Sequence, residues 1–188
     1  MAIGVMTLLR SGVMADYTGH AALACLTLAL IARPIHRLWA YPLRYRRMFG
    51  VSAFLLALAH TGHMLAMGWN LQALPFLLPT QQIGSWTGIL ALSLMIPLAL
   101  TSFDWMQQRL GNRWRLLHLL SLPVYGFAVI HTMLLGFHYL GAFQQTGFNQ
   151  LSTGILLLIT LSVFLVRSRW CWTLLSLEKF YGSFSKSR

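Results

Sequence analysis

Five apolar stretches, each near the length of a membrane-crossing helix, alternate with short polar segments along this chain. They run from about Thr18 to Ala32, Met48 to Met67, Ile83 to Thr101, Leu116 to Tyr139 and Leu151 to Val166. A hydrocarbon core about 30 Å thick takes about 20 apolar residues in a helix. The first stretch stops at Arg33-Pro34 and the second at Gly68, which are ordinary terminators of a span. No period-two alternation marks a strand, and no GxGxxG follows one. The pattern predicts an all-α integral membrane bundle of about five transmembrane helices. The leading MAIGVMTLL is cut by Arg10 and has neither a basic region ahead of it nor a clear cleavage site. Residues 1–17 therefore read as an extracytoplasmic lead-in that does not span and is not a signal peptide.

Composition narrows the class. Of 188 residues, 57% are hydrophobic and 9% charged, against about 25% charged in a soluble domain. Disorder is excluded as well, since it needs low hydrophobicity. The net charge of +11 comes from 14 Lys and Arg against 3 Asp and Glu, and its distribution explains it. Thirteen of the cations fall in three segments: Arg33, Arg37, Arg44, Arg46 and Arg47; Arg109, Arg113 and Arg115; and Arg167, Arg169, Lys179, Lys186 and Arg188. The intervening segments from Gly68 to Gln82 and from Leu140 to Gln150 carry no charge, and only Arg10 falls on the other side. Retention of cations in the cytoplasm predicts an N-out, C-in topology. The charge thus encodes orientation, with membrane lipid as a natural partner, and no basic patch interleaved with aromatics points to nucleic acid. Residues 167–188, with Trp170, Trp172 and Phe180 among the cations, read as a basic amphipathic cytoplasmic tail. Cys25 and Cys171 stand alone, without metal-ligand spacing, and read as packing residues. Trp69, Trp86, Tyr139 and Trp172, near span ends, read as interfacial belt residues.

Ionisable residues inside apolar spans are costly and point to function. Here they are histidines: His20 in the first span, His60 and His63 in the second, and His118, His131 and His138 in the fourth, with His36 in the first basic loop. No Asp or Glu falls within the five stretches to pair with them, which points away from a proton relay and toward a metal or heme. Spans two and four start on the same face. His60 lies 13 residues past Arg47, about 20 Å in at about 1.5 Å per residue. His131 lies 16 residues past Arg115, about 24 Å in by the same arithmetic. Two neutral imidazoles at one depth on neighbouring helices can ligate the two faces of one heme iron. His118 lies near the inner surface, and on an ideal helix it is about 140° away from His131. Pro123 and Gly126 between them can kink that helix. His63 is an alternative ligand or a partner to a propionate, while His20 and His36 read as interfacial.

The stretches DYTGHAALACLTLAL, LRYRRMFGVSAFLLALAH and LALTSFDWMQQRLGNRWRLLHLLSLPVYGFAVIH, in this order, resemble the ferric-reductase-like transmembrane superfamily. Within it they are similar to the heme-binding membrane subunit of the bacterial periplasmic protein-methionine-sulfoxide reductase system. The resemblance covers about Asp16 to Tyr139 and assigns residues 18–166 as a ferric-reductase-like heme-binding domain in the bacterial inner membrane. It implies a b-type cytochrome that takes electrons from a cytoplasmic flavin reductase or from quinol and passes them to a periplasmic molybdenum-containing reductase. Its heme histidines fall on His60, His118 and His131. It therefore implies one heme b, or two, with His118 serving a second heme or an inner cofactor site; FMN is also associated with the family. Arg46, Arg47 and Arg113 would flank the inner entrance, where a guanidinium pairs with a propionate or a flavin phosphate. Three features depart from the resemblance. The family's usual additional N-terminal helix has no counterpart among the five stretches, and Arg46 stands where the NADPH-oxidase branch has a further histidine. The Arg-Pro motif before the third span is missing from LPFLLPTQQIGSW. Two other readings stay open: a stand-alone reductase of ferric iron, other metals or oxygen, and a non-redox scaffold whose histidines only bond between helices.

Overall fold

The computed structural model describes residues 2–36, 41–141 and 146–168. Eight α-helices and one 3-10 turn, with no strand, make up these residues. In chain order they are α1 (Ala2–Ile31), α2 (Tyr41–Arg44), α3 (Arg46–Ala66), the 3-10 turn Leu71–Phe76, α4 (Pro79–Leu100), α5 (Asp104–Leu110), α6 (Asn112–Leu119), α7 (Ser121–Leu135) and α8 (Gly147–Arg167). Five stretches are long and apolar enough to cross a membrane: Gly12–Ile31, Arg46–Ala66, Pro79–Leu100, Asn112–Leu135 and Gly147–Arg167. The predicted tail, with Cys171 and Trp172, lies outside the described residues apart from Arg167 and Ser168.

Two boundaries differ from the sequence reading. α1 begins at Ala2 and runs unbroken through Arg10, because a single cation near a helix end does not interrupt the backbone hydrogen bonds that hold it. The fourth span ends at Leu135, with Gly136 extended at φ −68° and ψ 133°, so His138 and Tyr139 sit in the following turn. That span is also two helices. Pro123 has no N–H to offer the carbonyl of Leu119, and its ring crowds that carbonyl. The break falls at Leu120, between α6 and α7. At the other junctions, Gly68 closes α3 with φ +91° and Gly111 joins α5 to α6 with φ +51°, a backbone region that favours glycine. Thr146 caps α8 by accepting from Asn149 N, while Asn149 Oδ1 accepts from Thr146 N at 3.3 Å, a reciprocal cap.

The helices assemble as two close pairs. α1 packs along α3 and α4 along α7, whereas contacts between the pairs are sparse. α8 leans on α1 and α7. The core is built from Leu23, Leu26 and Leu30 of α1, Ala53, Met95, Leu98, Val124 and Val129, with Cys25 packed against it. Tyr125 is fully buried and meets Thr27 Oγ1 at 3.5 Å. The opposite surfaces stay apolar: Leu151, Ile155, Leu158 and Leu165 are exposed along α8, as a lipid-facing stripe requires. Hydroxyls in the spans donate to carbonyls four residues back, as Thr61 does to Ala57, Thr132 to Ala128 and Thr160 to Leu156, so no partner from water is needed.

Candidate functional site

His60 and His131 face each other across the gap between the pairs. His60 on α3 is held by α1: its Nδ1–H donates to the Ala15 carbonyl at 2.8 Å. His131 on α7 is held by α4: its Nδ1–H donates to the Gly84 carbonyl at 2.9 Å. Each bond fixes the tautomer and leaves Nε2 with a free lone pair, the arrangement that orients a metal-ligating imidazole. The ring centres are 5.8 Å apart with perpendicular planes. Two metal–imidazole bonds of about 2 Å each, plus the reach of each ring, fill a separation of this size. Glycine makes room for both rings. A Cβ at Gly88 would lie 2.4 Å from His131 Nδ1, and one at Gly19 would lie 3.0 Å from His60 Nδ1. Beside this cradle, the Ser85 hydroxyl is buried without a hydrogen-bond partner among the described residues.

His118 has a different setting. Thr101 Oγ1–H donates to the Pro97 carbonyl at 2.7 Å, so the contact of 3.2 Å to His118 runs from Nε2–H to the threonine oxygen. The Trp114 ring lies over His118 at 4.2 Å and is itself pinned by Nε1–H to the Thr101 carbonyl at 2.9 Å. His118 lines a cavity of about 520 Å³. Apolar Leu30, Phe54, Met95 and Leu98 form part of the wall, and Arg33, Arg44, Arg46 and Arg47 supply charge. Arg46 reaches back to the end of α1, donating through Nε–H to the Ala29 carbonyl at 3.1 Å. Arg167 does the same at Leu30, at 3.0 Å. Carbonyls at a helix C-terminus lack intrahelical partners and carry partial negative charge, which is why cations gather there. Burial and the neighbouring Arg115 pull the Arg33 guanidinium below its usual pKa. An apolar cavity with a guanidinium rim suits an anionic group on a flat or aliphatic body.

The predicted residues are thus only partly brought together. Arg47 lines the cavity but forks onto Asp104, with Nη1–H to Oδ2 at 2.9 Å and Nη2 to Oδ1, and this bond holds the Asp104 carboxyl below its usual range. Arg113 is exposed on the first turn of α6 and is not one of the residues that line the cavity, although its neighbour Trp114 is. His63 is half-buried and has no hydrogen-bond partner among the described residues. His36 donates through Nδ1–H to the Arg33 carbonyl at 3.0 Å.

At the end of the bundle away from the arginines, the sequence reading needs correction. Asp16 lies inside the first span, and two histidines approach it: its backbone carbonyl accepts His20 Nδ1–H at 2.8 Å, with Oδ1 3.4 Å from the same nitrogen, and Oδ2 is 3.4 Å from His138 Nε2. Tyr139 is buried and belongs to the core, not to an interfacial belt. Its hydroxyl donates to His20 Nε2 at 3.0 Å, and burial together with the Asp16 carboxylate pushes its pKa up. His20 is therefore a link between α1 and the turn after α7. Sequence reasoning also passed over Gly19, Gly88 and Thr101. Their one available signal was position: each falls opposite a histidine once the helices are paired.

Among the described residues, no group of three or more His, Cys, Asp or Glu side chains is arranged to hold a metal ion. A metal held between His60 and His131 would therefore bring its remaining ligands with it, as one within a macrocycle does.

The chain is 39% identical over 122 residues to the protein-methionine-sulfoxide reductase heme-binding subunit MsrQ of Brucella ovis and to that of Brucella abortus. It is 38% identical to that of Brucella melitensis biotype 2. In each case the match covers 59% of this chain and 52% of the relative, so the chain spans about half the length of the curated relatives it matches. No solved structure matches. The family described as the ferric reductase like transmembrane component matches residues 18–129, which include His60 and His118 and stop two residues before His131. The five apolar helices and these relatives make the chain a multi-pass protein of the bacterial inner membrane. With more than half of its length matched, the chain belongs to the ferric reductase like transmembrane family.

Proposed function

We propose that this chain is a b-type cytochrome subunit that carries electrons across the membrane, with heme b held between His60 and His131. The observation that carries this reading is the pair of imidazoles at 5.8 Å, each tied through Nδ1 to a carbonyl of a different neighbouring helix. The glycine cradle supports it, as does the absence, among the described residues, of a group of three or more His, Cys, Asp or Glu placed to hold a metal ion by themselves. Bound heme supplies reversible one-electron chemistry, and the protein sets its position and dielectric. Ala15 and Gly84 hold the two rings oriented in the Nδ1–H tautomer, with Nε2 available to ligate. Apolar helices exclude water from the gap. At the arginine end, Arg46 and its neighbours would receive the carboxylates of heme or the phosphate of FMN, and His118 would border that second site or ligate a second heme. In the latter case His118 must surrender its Nε2–H bond to Thr101.

In this reading the arginine end faces the cytoplasm, the N-terminus of α1 lies outside, and the basic tail rests at the inner surface. The donor is a cytoplasmic flavin reductase or quinol. The acceptor is a periplasmic molybdenum-containing reductase of methionine sulfoxide, of which the names of the relatives support the methionine-sulfoxide reductase part. The test is a dithionite-minus-oxidised absorption spectrum of the detergent-purified protein with pyridine hemochrome quantification. A sharp low-spin b-type α band at one or two hemes per chain is expected. A colourless protein expressed with ample heme overturns the proposal and leaves a scaffold whose histidines only bridge helices.

A further inference from the structure

Four ionisable side chains at the end away from the arginines have no part in the electron path just described. Asp16 and His20 lie one turn apart on α1, and His138 and Tyr139 follow α7. The Asp16 carboxylate oxygens approach the two imidazoles at 3.4 Å each, the Asp16 carbonyl accepts His20 Nδ1–H at 2.8 Å, and the ring centres are 6.3 Å apart. The side chains of Asp16, His20 and His138 are 28%, 37% and 52% exposed, and His138 lies in the turn beyond the fourth span. Other elements bring little charge to them. α8 contributes neutral Phe148 against His138, and the segments Gly68–Gln82 and Leu140–Gln150 carry none. The further titratable or charged groups in the halves of these helices nearest this end are Arg10 and Tyr17 on α1, His60 and His63 on α3 and His131 on α7, while Arg46, Arg47, Tyr125 and Arg167 fall in the opposite halves of α3, α7 and α8. The cluster adjoins the proposed heme site through one peptide: the carbonyl that receives His60 Nδ1–H belongs to Ala15, and Asp16 is the next residue.

We infer that Asp16, His20 and His138 form a proton site coupled to the heme electron, so that this end of the protein carries an electron and a proton together. The inference rests on the proposed heme between His60 and His131. One electron arriving there removes one unit of positive charge from a low-dielectric gap, and a base close by then binds a proton more tightly. The proton comes from water at that face, and no covalent bond other than N–H or O–H changes. When an acceptor takes the electron, the proton is released beside it, which suits an acceptor whose reduction consumes protons. The two rings take an added proton at different places: His138 beside the Asp16 carboxylate, and His20 at Nε2 beside the Tyr139 hydroxyl, because its Nδ1–H already donates to the Asp16 carbonyl. Coupling is reciprocal, so the heme potential must fall as pH rises through the titration range of the cluster.

The experiment is a spectroelectrochemical titration of the full chain from pH 5 to 9, alongside Asp16→Asn and His138→Gln. One proton per electron is tenfold per pH unit, which is about 59 mV for a one-electron couple. The expected wild-type slope approaches that figure over part of the range, and it flattens in Asp16→Asn. If Asp16→Asn fails to retain heme, His138→Gln, on an exposed turn, carries the test. An independent readout is proton uptake on photoreduction in unbuffered detergent, followed with a pH indicator. A pH-independent wild-type potential overturns the inference while leaving the cytochrome reading intact, as does a slope unchanged in the variants that keep heme. A chain that binds no heme overturns both, and its absorption spectrum reports that before any titration.

Discussion

His60 with His131 and His118 are histidines of one bundle in opposite states of readiness. The first two give Nδ1–H to backbone carbonyls and keep Nε2 free, in a gap that glycines leave open. His118 gives Nε2–H to Thr101 and lies against Trp114, beside a cavity rimmed with guanidinium groups. Both settings lie in apolar spans, so burial alone does not distinguish a ligand. The distinction lies in which ring nitrogen is already engaged, and that is decided by the neighbouring helix.

The largest expected effect breaks the first setting. His60→Ala and His131→Ala should each lower heme per chain by at least about tenfold, since losing even the partner that orients a ligand costs about 10–100-fold, whereas His20→Ala should keep it; pyridine hemochrome values check all three. Next comes the cradle. Gly88→Ala places a Cβ 2.4 Å from the His131 ring and Gly19→Ala places one 3.0 Å from His60. Overpacking of this kind costs about 1–3 kcal/mol, so Gly88→Ala should lose most of its heme and Gly19→Ala much less. Equal retention in the two variants would sever the link between cradle and ligand.

The second setting is sharpened by Thr101→Val, which frees His118 Nε2. If His118 borders an inner cofactor site, the variant should keep the wild-type α band and change only the rate of reduction from that side. A gain in low-spin heme per chain would show that the threonine bond had withheld a ligand. The smallest effect belongs to Asp104→Asn. Its carboxyl pKa is lowered by Arg47, so any stabilisation is present above the ordinary carboxylate pKa and is lost as pH falls through the lowered value. The pair is exposed, and such pairs contribute little. Thermal stability at pH 7 should be unchanged within error, with no added acid sensitivity.

Much of this was legible in the chain. Apolar runs between cations yield the five spans, because hydrocarbon leaves few alternatives, and rise per residue alone puts His60 and His131 at one depth. What could not be read depends on closure of the bundle. Asp16 lies before the first apolar stretch in sequence, yet the turn after α7 brings His138 onto it. Gly19 and Gly88 look like weak points in a helix until the opposing ring is known. The break at Leu120 was foreshadowed by Pro123, but a proline shows only that a hydrogen bond is missing, not where the helix will part. Arg47 drew notice as a cofactor group because its partner Asp104 is 57 residues away.

The pairing of helices also bears on the order in which the protein can be made. α1 closes on α3, and α4 closes on α7, so each close pair joins neighbouring spans and can form as soon as its second member enters the membrane. The two proposed ligands are divided between the pairs. His60 is in place early, held by α1, but its counterpart arrives only with the fourth span. With ligation by these two residues, cofactor loading would be a late step of biogenesis, and a chain arrested before α7 would hold one finished half of the site with nothing to grip.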